Sequence, residues 1–172
     1  MRKFLLPTIF LILFIIESIF VELLPAELFN SANILVPRFL IIAILFLTIY
    51  GIRNQGIIYA FIFGLLFDIV YTEIIGIYLF MFPLVAYIVS KIMKVFHSHI
   101  VIVTVVSLIG VALLELSVYE IIYLIKLTTM DFTSFLQLRL LPTIILNLAF
   151  AIIFAYPLKR TFEKYTAAIT NE

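Results

Sequence analysis

Cysteine and tryptophan are absent from the 172 residues, histidine occurs twice, and only 12% of the residues are charged. Without cysteine there is no disulfide, no thiolate nucleophile and no sulfur-ligated metal. The scarcity of charge excludes an ordinary soluble domain, in which about half the residues are apolar and about a quarter charged. Here 66% are hydrophobic, so the chain cannot cover its own surface with polar groups. In water it would expose large apolar patches, and lipid is the solvent it suits. Eleven Lys and Arg against ten Asp and Glu leave a formal charge of +1, which excludes a whole-chain field able to collect nucleic acid or an acidic substrate.

Catalytic motifs are missing as well. No HExxH, G-x-S-x-G, Walker loop or C-x-x-C occurs. His97 and His99 stand two apart in a connection with Lys91 and Lys94 and have no acidic companion, so they read as part of a solvated basic loop. Asp68 and Asp131 fall in different settings, which disfavours an aspartate dyad. The expectation is a protein without catalytic residues, cofactor or metal.

What the sequence has in abundance is apolar segments long enough to cross a bilayer, which takes about 20 helical residues for a core of about 30 Å. Six are present, at 4–24, 34–52, 56–71, 75–93, 100–126 and 135–158. The first follows Arg2 and Lys3 and has no small-residue cleavage site after it, so it reads as an uncleaved span. The third is short, leaving a re-entrant hairpin or tilted helices within 54–90 as alternatives. Six spans place Arg2, Lys3, Arg53, Lys91, Lys94, Lys159, Arg160 and Lys164 on one side and only Lys126 in the connections on the other. Cytoplasmic loops concentrate Lys and Arg, so both termini are expected inside. The acids Glu27, Glu73 and Asp131 then fall in the outer connections. The fold class is all-α: a polytopic transmembrane helical bundle in one domain, residues 1–172, with connections too short to hide a soluble domain.

Ionisable residues inside these spans need a partner, water or a route to the headgroups, because each costs about 2.5–3.5 kcal/mol at a helix centre. They are Glu17, Arg38, Asp68, Glu115, Glu120 and Arg139, with Glu22 near a boundary. At about 1.5 Å per residue, Glu17, Asp68 and Glu115 lie roughly 20, 18 and 22 Å from the inner ends of their helices, and Arg38 and Arg139 about 6 Å below the outer ends. All fall in the outer half, where a guanidinium can accept two carboxylates. Glu120 with Arg139 is the first pairing expected. A docking or binding site, a lock on the bundle and snorkelling of the arginines are three open readings. Pro37 and Pro142, beside these arginines, each free a backbone carbonyl and let polar groups collect. Ala60 with Gly64 and Ala151 with Ala155 have the spacing of close helix packing.

Several strings carry a family resemblance when taken in order: Leu35-Val36-Pro37-Arg38-Phe39, Phe61-Ile62-Phe63-Gly64-Leu65-Leu66-Phe67-Asp68, Gly76-Ile77-Tyr78, Ser90-Lys91 to His97, Leu114-Glu115, and Arg139-Leu140-Leu141-Pro142-Thr143-Ile144-Ile145-Leu146-Asn147. Together they resemble the rod shape-determining MreD family of Bacillus-like bacteria, over nearly the whole chain. The resemblance implies a non-enzymatic subunit of the cell-wall elongation machinery in the bacterial cytoplasmic membrane. It implies association with MreC and, through it, with MreB filaments, RodA and a penicillin-binding transpeptidase. It brings no catalytic site, so Arg38, Asp68, Glu115 and Arg139 remain structural or docking candidates. The alternative is a small-molecule-binding subunit of a membrane transporter, a fold comparison that rests on analogy.

Overall fold

The computed structural model describes residues 4–23, 33–72, 74–96 and 98–170. The expectations for Arg2, Lys3, Glu27, Glu73 and His97 fall outside the described residues. Six helices and no strand are present among those described: α1 Leu5–Leu23, α2 Phe39–Tyr50, α3 Arg53–Tyr71, α4 Ile77–Ile92, α5 Ile100–Leu124 and α6 Phe132–Thr170. Four of them, α1, α3, α5 and α6, are long and apolar enough to cross a membrane, whereas α2 and α4 are apolar but shorter. Large apolar side chains cover the outside, among them Leu11, Ile12, Ile109, Ile152 and Ile153. Such a surface is stable only against lipid.

Helix α2 forms the centre. Its residues from Phe39 to Thr48 are all buried, as expected of a helix that is apolar on every side. It packs against α1, α3, α4, α5 and α6. With 12 residues it is about 18 Å long, little more than half a bilayer core. Residues 33–38, which precede it, are neither helix nor strand. The stretch 34–52 expected as one span is therefore helical only from Phe39 to Tyr50, and Arg38 occupies the N-cap of α2.

The most extensive pairing is between α3 and α4. Gly64 makes it possible, because a Cβ there would run into the Tyr78 carbonyl and the Leu79 backbone. The two helices are separate and joined by a short turn, in which Gly76 adopts φ 126 at the N-cap of α4. Helix α1 applies one stripe to the bundle, Leu6, Phe10, Phe14 and Glu17, and its phenylalanines meet Tyr59, Phe63 and Phe67 of α3.

Helix α6 begins at Asp131, whose side chain accepts the Ser134 N–H at 3.1 Å. Hydrogen bonding from Ser134 holds the Asp131 carboxyl below the usual carboxylate range. The helix widens into a π turn over Phe135–Leu140 and then runs without interruption to Thr170, well past the expected end at 158. Its 39 residues measure about 58 Å, so its last turns exceed any bilayer core. Phe162 in that extension is fully buried, against Phe10 of α1.

Candidate functional site

A polypeptide that is neither helix nor strand, in a bundle suited to lipid, must find partners for its backbone within the protein. For residues 33–38 they come from α6. Pro142 has no N–H and its ring crowds the carbonyl four residues earlier, which is that of Leu138. This freed carbonyl accepts the Ile34 N–H at 2.7 Å. One turn on, Thr143 Oγ1 accepts the Val36 N–H at 3.2 Å, and the Asn147 amide donates to the Val36 carbonyl at 3.0 Å. Asn147 Oδ1 accepts the Arg38 N–H at 2.8 Å. Arg139, Thr143 and Asn147, four residues apart, form one face of α6, and this face replaces the missing strand neighbour.

The segment delivers the Arg38 side chain to the middle of the bundle. Its Nε donates to Glu115 Oε1 at 2.6 Å and its Nη2 to the Tyr78 hydroxyl at 2.7 Å. The guanidinium also lies 4.9 Å from the Tyr78 ring centroid and 5.6 Å from that of Phe67. Glu115 offers its second oxygen to Arg139 Nε at 3.0 Å. One buried carboxylate of α5 thus bridges two guanidinium groups, while Arg139 keeps 27% of its side chain exposed.

The expected pairing of Glu120 with Arg139 is corrected by this arrangement. The buried stripe of α5 runs Val111, Leu114, Glu115, Val118 and Tyr119, at the three- and four-residue steps of a helix face. Glu120 lies outside that stripe and is exposed, as is Glu22. Five residues turn a helix about 500°, so Glu115 and Glu120 cannot share the inner face.

Asp68 and Glu17 are buried too, but among the described residues neither joins an arginine by a salt bridge. Each caps the N-terminus of a helix that begins inside the molecule. Asp68, fully buried at the end of α3, accepts the N–H groups of Gly76, Tyr78 and Leu79 at 2.8, 2.9 and 2.9 Å. These include first-turn donors of α4, which no residue of its own caps. Glu17 does the same for α2, accepting the Leu40 N–H at 3.0 Å through Oε2. A carboxylate near a helix N-terminus is also favoured by the helix dipole. The other oxygen of Glu17, Oε1, is buried without a hydrogen-bond partner among the described residues. An orphaned buried acceptor costs about 1–3 kcal/mol, more when charged.

Glu17 and Arg139 line a cleft of about 230 Å³ together with Tyr71, Tyr78 and residues 34–38. The Tyr71 hydroxyl meets that of Ser18 on α1. Sequence reasoning missed Tyr78, Thr143 and Asn147. The signal for the last two was available in their spacing from Arg139. Among the described residues no group of three or more His, Asp or Glu could hold a metal ion.

The chain matches the family model described as rod shape-determining protein MreD over residues 2–165. It is 36% identical over 172 residues to the rod shape-determining protein MreD of Bacillus subtilis, covering the whole of both chains. It is 28% identical over 131 residues to the cell shape-determining protein MreD of Streptococcus pneumoniae, 76% of this chain and 77% of that one. No solved structure matches it with comparable significance.

Proposed function

The chain belongs to the MreD family of rod shape-determining proteins, and from that premise we propose that it is a non-enzymatic scaffold subunit of the cell-wall elongation complex. In this reading it lies in the bacterial cytoplasmic membrane with both termini in the cytoplasm. It holds the single membrane span of an MreC partner, and through it connects to MreB filaments, RodA and a penicillin-binding transpeptidase.

The observation that carries the reading is the Glu115 bridge. It ties the entry segment of α2 to α5 and α6 in the expected outer half, where it leaves Arg139 partly open. A scaffold needs such a fixed face, because a partner bound to a preorganised surface does not have to order it first. A carboxylate in low dielectric, satisfied on both oxygens, holds that face in one arrangement.

Depletion of the protein in a host with one copy tests the proposal. Rods should round up and wall synthesis should lose its lateral pattern; rods that elongate normally would contradict it. Complementation with Arg38→Gln should restore shape poorly even at wild-type abundance in the membrane.

A further inference from the structure

We propose that the cleft between α1, residues 34–38 and α6 is a binding site for a phospholipid headgroup in which the phosphate stands beside a hydroxyl or ammonium donor. The inference concerns a ligand and does not rest on the scaffold reading.

The side chains left incomplete by the protein define this chemistry. Glu17 is 2% exposed and lines the cleft, yet among the described residues its Oε1 finds no hydrogen-bond donor. Arg139 lines the same cleft and, among the described residues, bonds through Nε to Glu115, which leaves its two Nη groups as donors. Arg38 keeps its Nη1, since Nε and Nη2 are taken by Glu115 and Tyr78. The cleft therefore presents an acceptor and a fork of charged donors at once.

A simple anion would suit the guanidinium groups and meet the Glu17 carboxylate without a donor. A simple cation would do the reverse. A phosphate with an N–H or O–H a few bonds away satisfies both, and Arg pairs with phosphate through parallel hydrogen bonds. About 230 Å³ corresponds to roughly eight water volumes at about 30 Å³ each, enough for a headgroup and too little for a helix. The source follows from the rim, where Val21 and Ile34 are apolar and exposed. Glu17 lies six residues before the end of α1, about 9 Å along the helix. A headgroup drawn to that depth leaves its acyl chains over Val21 and Ile34.

The test is native mass spectrometry of the protein released from nanodiscs containing equal parts of phosphatidylethanolamine, phosphatidylglycerol, phosphatidylcholine and phosphatidic acid. The wild type should retain one ethanolamine or glycerol lipid in about tenfold preference over the choline lipid and phosphatidic acid, the effect of one hydrogen bond to a charged group. Glu17→Gln can keep the Leu40 hydrogen bond through its amide oxygen while turning a donor toward the cleft. It should lose the preference while melting as the wild type does in phosphatidylcholine alone. Should that variant not fold, Arg139→Gln supplies the second arm and should lower retention of all four phosphate lipids. Equal retention of the four lipids by the wild type, or an unchanged preference in Glu17→Gln, would overturn the proposal. Displacement of the lipid by millimolar glycerophosphoethanolamine, with no need for acyl chains, would overturn the lipid source.

Discussion

Glu115 touches two arginines, and substitutions around it should behave unequally. Glu115→Gln leaves Arg38 buried beside a neutral amide, and breaking a buried pair from one side costs about 3–5 kcal/mol. Denaturant unfolding in mild detergent should show that loss, and Arg38→Met with Glu115→Leu should regain much of it, because removing both charges removes the desolvation they require. Glu120→Gln, on the exposed side of the same helix, should stay within about 0.5 kcal/mol of wild type. Asp68→Asn keeps the shape and loses an acceptor, turning an amide N–H toward the donors of α4. Its expected cost is about 1–3 kcal/mol, read from the same unfolding curves. Asp131 lies in the connection that precedes α6. Its carboxyl is held low in the folded chain by Ser134, so its contribution is complete above the ordinary value of about 3.9. The contribution is lost as pH falls through the lower folded value. Amide exchange at Ser134, corrected for its intrinsic pH dependence, should accelerate in that acid range, and in D131N it should stay flat.

Helices α2 and α4 are short because both begin inside the protein, and each depends on a carboxylate from another element. That dependence explains what the sequence could not disclose. Hydropathy locates an apolar segment, but Ile34-Leu35-Val36 is apolar whether helical or extended, so the run 34–52 reads as one helix. Pro37 was the available sign, since the residue before a proline is pushed out of the helical region. A cap supplied from 23 residues away in sequence, as Glu17 gives Leu40, leaves no local pattern at all. The intramembrane acids were legible as groups needing partners. Their roles were not, because ion pair and helix cap make the same demand on composition. The buried stripe of α5 selects Glu115 over Glu120, but a helix apolar on every side does not disclose which face turns inward. At this scale Pro142→Ala is informative. Restoring the N–H lets α6 reclaim the Leu138 carbonyl, and the Ile34 N–H loses its acceptor. Hydrogen exchange at Ile34 should rise; unchanged exchange would show that the proline-freed carbonyl does not hold the segment.

Across the whole molecule, polar chemistry is divided between two ends. One holds the bridged arginines and the caps, and the other gathers Arg53, Lys91, Lys159 and their aromatic partners Tyr87 and Tyr50. The absence of cysteine makes the orientation easy to probe. His99→Cys should react with impermeant thiol reagents only from the cytoplasmic side, and Thr129→Cys only from the outside. The central claim is that the end organised by Glu115 seats a single-span partner of the shape machinery. Leu141 and Ile145 lie beside Arg139 on α6 and face outward, whereas Ile153 and Tyr156 face outward nearer the basic end. The most direct test places a photo-crosslinking residue at each of these four positions in the native membrane and identifies what becomes attached. Capture of an MreC partner from Leu141 or Ile145, lost on adding Arg38→Gln, is the predicted result. Capture only from Ile153 and Tyr156, or of lipid alone at all four, would contradict it.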